Sequence, residues 1–181
     1  DLVLRFTQLV RKLEPTATVK PVGSYVTGLY LPTSDIDMVL SFPGSSSSAY
    51  MARYRLGILA SKIRREGFAS QMEEAFKATV PLLRVKDKVT GLEIDLTEGD
   101  GHGERATEAV QRWVRDSEEP ADEGLIHRLV MVLKVFLGSR RLGKTYTGGV
   151  NSYLLVWMVV AWVRLEWRKK RVVVRVARTG W

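Results

Sequence analysis

Apolar residues recur at helical spacing from the start of the chain, where Leu2, Val3, Phe6, Leu9, Val10 and Leu13 share one side of a 3.6-residue period. The spacing predicts an amphipathic helix that ends before Pro15. A short strand is expected over residues 19–22. Gly23-Ser24 follows, then a brief helix or turn over residues 25–30 that Pro32 closes. Here the period changes. Ile36, Met38 and Leu40 alternate with Asp35, Asp37 and Val39, the two-residue repeat of a strand. Pro43-Gly44 and the serines 45–48 make a polar loop. Residues 50–66 return to helical spacing, with Leu56, Leu59, Ala60 and Ile63 inward and Gly67 as the C-terminal cap. Two further strands are expected, at residues 81–86 and 92–97, joined through the turn 87–91 as a hairpin.

Beyond Gly99 the strand pattern stops. Residues 104–114 read as a helix, and an acidic linker over 116–123 leads into a second helix at 125–137. A turn rich in Gly, Lys and Arg (138–149) precedes an apolar helix that starts at Ser152. The plan is a small α/β half followed by a helical half, with no internal repeat. The last stretch, 168–181, is basic around the apolar run Val172 to Val174 and reads as a chain whose next segments are missing.

Composition narrows the chemistry. The 181 residues include 28 Lys and Arg against 20 Asp and Glu, a net charge of +8, which favours an anionic partner, nucleic acid first. There is no cysteine and only His102 and His127, so thiolate sites are excluded and a histidine-rich centre is disfavoured. A metal here should be a hard cation on oxygen ligands. The longest apolar run, residues 153–163, is too short for a bilayer span, so no membrane partner is expected. With no recognisable signal or transit peptide, an intracellular protein is expected.

Three carboxylates carry the functional reading. In a strand, Asp35 and Asp37 project from one face, roughly 6 to 7 Å apart. Acids that close repel one another unless a cation sits between them. Asp95 lies in Leu-Glu-Ile-Asp-Leu, where Leu92, Ile94 and Leu96 pack inward and Glu93, Asp95 and Thr97 face the other way. If the two strands are neighbours, three acids converge as two-metal phosphoryl transfer requires. An isolated Asp-x-Asp is common, and alone it reads as a turn residue and a surface charge. Gly23-Ser24 adds backbone N–H groups and a hydroxyl suited to a phosphate.

Gly-Ser, Asp-x-Asp on a strand and a third strand-borne Asp resemble the DNA polymerase beta nucleotidyltransferase superfamily. Gly23-Ser24-Tyr25, Leu29-Tyr30-Leu31-Pro32 and Ser34-Asp35-Ile36-Asp37 are similar, more closely, to the non-canonical poly(A) polymerases, the TRAMP type among them. A second block, residues 129–137 and Tyr146-Thr147-Gly148-Gly149-Val150-Asn151-Ser152-Tyr153, resembles their central domain. The likeness runs from about Val19 to about Trp162. It implies an α+β fold, a mixed nucleotidyltransferase sheet with flanking helices plus a helical central domain. Residues 1–16 would form a helix packed on the central domain, 17–115 the catalytic domain, and 116–181 an incomplete helical domain.

The resemblance also assigns roles. Gly23, Ser24, Lys134, Ser152 and Tyr153 would bind the nucleotide, with Ser24, Lys134 and Ser152 on its phosphates and Tyr153 stacking on the base. Asp35 and Asp37 would hold two Mg2+ ions, with Mn2+ as a substitute. Asp95 would join them and help deprotonate the RNA 3′ hydroxyl. From the residues alone, Lys134 equally snorkels from an apolar helix, and Tyr153 equally opens a core run. The sequence departs from the family where a second lysine becomes Gly138, leaving Arg140 or Arg141 to substitute, where Glu98-Gly99 follows the third acid, and where His102 replaces an asparagine. The family's base-recognition loop is not found before Trp181. The expected activity is therefore AMP addition from ATP to an RNA 3′ end, with UTP the runner-up nucleotide and a catalytically silent RNA-binding scaffold the other alternative. An RNA-binding protein partner is expected, and so is a nuclear setting, ahead of a mitochondrial or cytoplasmic one.

Overall fold

The computed structural model describes residues 1–44, 48–99, 101–116, 124–143 and 148–179, with side chains through residue 166. The expected acidic linker (mostly 117–123), most of the serine loop (45–47) and Tyr146-Thr147 lie outside the described residues. The chain divides into two units, Asp1–Thr107 and Glu108–Trp181.

The first unit is built on a five-stranded mixed sheet in the order β1-β2-β5-β4-β3. Its strands are β1 (Thr18–Pro21), β2 (Ile36–Ser41), β3 (Ala69–Ala75), β4 (Leu82–Asp87) and β5 (Glu93–Glu98). All neighbours are antiparallel except β2 and β5, which run parallel. The expected hairpin is present as β4–β5, with Gly91 at φ 71° in its turn. Helix α1 (Leu2–Leu13) and helix α3 (Ala49–Arg65) pack on the sheet. The core gathers Phe6 and Val10 of α1, Leu56, Leu59 and Ile63 of α3, Met38 and Leu40 of β2, and Ile94 and Leu96 of β5, all fully buried. Ser48 caps α3 by accepting a hydrogen bond from the Met51 N–H, and Gly67 follows its end at φ 64°.

Two expectations change. The N-terminal helix, expected on the helical half, places Leu2, Phe6 and Val10 in the sheet core. Strand β3 is not foreseen at all. Its sequence Ala-Ser-Gln-Met-Glu-Glu-Ala lacks strand-forming residues, and it is an edge strand with half its length exposed to water.

On the sheet face away from that core lie helix α2 (Gly23–Thr27), shorter than expected and closed by Gly28 at φ 74°, and the start of helix α4 (His102–Arg115). Gly99 and Gly103 sit so close to Val39 that a Cβ on either would meet its methyl groups at 3.1 and 3.0 Å. The second unit contains the rest of α4 with α5 (Leu125–Ser139) and α6 (Ser152–Thr179). Its buried residues are Val110, Ile126, Val130, Leu155, Val156, Val159, Val160 and Val163. Helix α6 runs on into the basic final stretch as far as Thr179. No described helix is long and apolar enough to cross a membrane.

A buried ion pair fastens α1 to the end of β4. Arg5 donates to Asp87 Oδ2 at 2.6 Å, and the N–H and hydroxyl of Thr90 donate to the same oxygen at 2.8 and 2.7 Å. Burial pushes the Asp87 carboxyl up, but the hydrogen bonds from Arg5 and Thr90 outweigh it and hold the group below its ordinary value. A depressed carboxyl adds stability above its unfolded-state pKa and loses it as pH falls through the folded one. Asp87→Asn should therefore cost about 2 kcal/mol at neutral pH, because hydrogen bonds to a charged acceptor weaken. The gap from wild type should close below about pH 4 in urea melts recorded across pH.

Gly23 presents a second sensitive point. Its φ is +66°, and a Cβ built there would stand 2.7 Å from Asp37 Oδ2. Gly23→Ala combines left-handed backbone strain with that clash and should lower stability by about 2 kcal/mol in the same assay.

Candidate nucleotidyl-transfer site

The site begins with strand pairing. In the parallel β2–β5 ladder, Asp37 stands directly opposite Asp95, flanked by the pairs Ile36–Ile94 and Met38–Leu96. The flanking side chains enter the core, so the two aspartates share the opposite face. Asp35, expected within the first of these strands, lies just before it and is exposed, because β2 begins one residue later, at Ile36. Although solvent reaches it, partial burial first and the negative charge of Asp95 second raise its carboxyl above the ordinary range. Asp35 and Asp95 therefore feel one another. The three acids expected to meet are in one region of one unit.

The phosphate end is organised differently from the expectation. The Val22 N–H donates to the Asp37 carbonyl at 2.9 Å, which ties the start of α2 to β2. Gly23 does not offer its N–H outward. That group donates to Thr107 Oγ1 at 2.8 Å, and the Thr107 hydroxyl donates on to the Gly103 carbonyl at 2.7 Å. Gly23 is required because only a residue without a Cβ fits beside Asp37 in this conformation. Ser24, the expected phosphate ligand, is half-buried in the first turn of α2, with its carbonyl accepting from Thr27 Oγ1.

Asp95 has a partner that the pattern of acids did not reveal. Arg84, its cross-strand neighbour on β4, donates from Nε to Oδ1 and from Nη2 to Oδ2, both at 2.7 Å. The same guanidinium lies 3.2 Å from Glu73 and 3.7 Å from Glu93. Its hydrogen bond with Asp95 drives the arginine further above its already high pKa. Arg84 and Thr107 are the two residues missed. The signal for Arg84 was its alternation with Leu83 and Val85, which puts it on the face of Asp95 once β4 and β5 pair.

Hard carboxylate oxygens suit a divalent cation, and the mutual repulsion of Asp35 and Asp95 is what such an ion would relieve. Yet among the described residues no group of three or more His, Cys, Asp or Glu converges as a ready cation cage. Arg84 meanwhile holds both oxygens of Asp95. The donor set fits magnesium in kind, and its third member is engaged elsewhere.

The other expected nucleotide ligands lie in the second unit. Lys134 is half-buried on α5. Ser152 is exposed at the first residue of α6, where Asn151 Oδ1 accepts from the Leu154 N–H. Tyr153 is 46% exposed, its ring centroid 5.6 Å from that of Trp113, so the core alternative for it does not hold.

Residues 1–115 match the family model described as the central palm domain of mitochondrial-like poly(A) RNA polymerase. "Poly(A) RNA polymerase protein 2" of Saccharomyces cerevisiae is 30% identical over 88% of this chain and 26% of its own length. The "Inactive non-canonical poly(A) RNA polymerase protein Trf4-2" of Drosophila melanogaster is 30% identical over 93% of this chain and 40% of its own. Among solved structures, the polymerase core of TRAMP, described as an RNA surveillance complex, superposes with a TM-score of 0.73 at 30% identity, covering 87% of this chain and 46% of that one. The chain thus spans about a quarter of the yeast relative it matches. With the family model covering well over half of its residues, the chain belongs to the poly(A) RNA polymerase family defined by that palm domain.

Proposed function

We propose that this chain carries the catalytic palm of a template-independent RNA nucleotidyltransferase, which adds AMP from ATP to RNA 3′ ends. The observation that carries the reading is the pairing of Asp37 with Asp95 across parallel strands, with Asp35 two residues away and electrostatically coupled to Asp95. Asp35 and Asp37 would hold magnesium, or manganese in its place, and Asp95 would complete the set. When bound, the ion supplies positive charge that stabilises the phosphates and sharpens the attacking hydroxyl. In the reaction, the RNA 3′ oxygen attacks the α-phosphorus, the α–β bond breaks, pyrophosphate leaves and Asp95 takes the hydroxyl proton. Ser24, Lys134 and Ser152 would bind the phosphates, and Tyr153 would offer a ring to any base. The net charge of +8 supports an RNA track whose contribution weakens with salt.

The setting proposed is nuclear RNA surveillance, on the description of the TRAMP core as part of such a complex, and a partner protein would then add RNA affinity. The mitochondrial-like name of the family model makes mitochondria the alternative. A second reading, a silent scaffold, draws support from the inactive fly relative. Against it, Asp35, Asp37, Asp95 and Ser24 are all present.

The discriminating assay incubates labelled RNA with the full-length protein, magnesium and each nucleoside triphosphate in turn. Ladder-like extension is expected with ATP, and Asp37→Asn should reduce it at least about a thousandfold, as expected when an electrostatic element of a transition state is lost. Extension that survives Asp37→Asn removes the metal assignment. A preference for UTP keeps the mechanism and changes the product to oligouridine. No extension by any nucleotide, partners included, favours the scaffold.

Asp35 supplies a test on the protein without metal. A raised carboxyl contributes stability only below its unfolded-state pKa and loses it as pH rises through the folded value. Asp35→Asn should therefore melt at or above the wild-type temperature in EDTA at neutral pH, with the difference vanishing in acid. Added magnesium should stabilise the wild type more than the variant. A variant less stable than wild type in EDTA at neutral pH would contradict the strained-acid assignment.

A further inference from the structure

We propose that Arg84 is the resident counter-ion of Asp95, and that it yields the carboxylate to an arriving divalent cation by moving onto Glu73 and Glu93. The inference rests on the cation-site reading above and extends it to how the third acid is kept and released.

The geometry supplies both ends of the exchange. Arg84 grips both Asp95 oxygens at 2.7 Å in the planar fork that matches a carboxylate. Asp95 is 8% exposed, so an unpaired charge there would be costly, and the arginine removes that cost. At the far end, Glu73 accepts from Arg84 Nη1 at 3.2 Å, and Glu93 Oε2 stands 3.7 Å from Nε. Arg84 also borders a cavity of about 410 Å³ lined by Gln71, Met72, Glu73, Lys86 and Glu93, which gives its side chain room to turn. Lys86, 3.9 Å from Glu93, competes for that acid and leaves Glu73 as the stronger second seat.

A permanent structural bridge would look different. It would have one partner and packed surroundings, whereas Arg84 faces one nearly buried acid and two more exposed ones beside open space. An arginine therefore stands on both oxygens of the third acid. Arg84 is thus a positioning residue. It aims Asp95 while the site waits, and the strength of its grip sets how readily a cation takes that ligand.

The test uses Mn2+ alone, titrated into the full chain at low salt and near-neutral pH, with the free ion read by electron paramagnetic resonance and folding checked by thermal melting. Removing a full positive charge beside a divalent ion in a partly solvated site is worth about a tenfold change in affinity. Arg84→Gln should therefore bind Mn2+ about tenfold more tightly, although its metal-free form melts lower. Arg84→Lys, which keeps the charge but loses the fork, should fall between wild type and Arg84→Gln. The Glu73→Gln/Glu93→Gln double variant, at one exposed and one half-buried position, should bind Mn2+ more weakly, because Arg84 then has only Asp95 to hold. The signature of exchange is the coupling between them: the Glu73→Gln/Glu93→Gln change should weaken Mn2+ binding in the wild type and lose most of that effect where Arg84 is replaced, whereas plain charge repulsion or a merely structural bridge would leave the effect the same in both backgrounds. If Arg84→Gln does not fold, the double variant and Arg84→Lys still decide the matter. Wild-type binding that Asp37→Asn abolishes but that Arg84→Gln and the double variant leave unchanged overturns the exchange alone. Wild-type protein that binds no Mn2+, or whose binding survives Asp37→Asn, overturns the cation site and the exchange with it.

Discussion

Parallel strands cannot be joined by a tight turn, so the pairing of β2 with β5 obliges the intervening chain to travel. Here it lays down α3, β3 and β4 before returning, and the register it returns to sets Asp37 against Asp95. A slip of one residue would turn every side chain of β2 to the wrong face. Ile36, Met38, Leu40, Ile94 and Leu96 oppose the slip, since burying each is worth about 2 kcal/mol. Repulsion between two carboxylates about 4 Å apart is about 4 kcal/mol at an effective dielectric near 20 and much less toward water. The core therefore outweighs the site. Two like charges are held side by side because the residues between them are packed on the other face of the same strands.

The elements that were legible in the sequence are those whose two faces differ sharply. Helix α1 begins and ends where the apolar spacing of Leu2 to Leu13 puts it, and α3 buries the same Leu56, Leu59, Ala60 and Ile63 that the spacing selects. The β4–β5 hairpin follows from alternation around a turn. What alternation does not carry is the neighbour. Nothing in Ile36–Ser41 says that its partners are β1 on one side and β5 on the other. Nothing in the apolar face of α1 says which apolar surface it covers. Ala69–Ala75 has almost no contrast between its faces, so β3 exists only because β4 offers it an edge.

The site shows the same division. Alternation with apolar residues puts Asp37 and Asp95 on strands, with Asp35 just ahead of the first. The counter-ion of Asp95 needs the register as well, because Arg84, eleven positions away in the chain, meets it only once β4 and β5 pair. Gly23 was read as a phosphate-facing amide. Its φ and its closeness to Asp37 explain the glycine, but its N–H is committed to Thr107, more than eighty residues away. Long-range hydrogen bonds of this kind leave no local pattern. They decide how a recognisable set of residues is held.

Charge is distributed unevenly, and the unevenness bears on mechanism. The chain as a whole is +8, yet around β4 and β5 the acids Asp35, Asp37, Glu73, Glu93 and Asp95 outnumber Arg84 and Lys86. A polyanion is drawn to the molecule by the long-range surplus and repelled at the last step by the acids. That barrier is useful in a phosphoryl-transfer site. Under the proposed function, phosphates and acids would meet only when positive charge is added locally, which would tie productive approach to cation binding. The bidentate hold of Arg84 on Asp95 balances the most buried of those acids. The site keeps its charge imbalance where the reaction would need it and neutralises it where burial would make it costly.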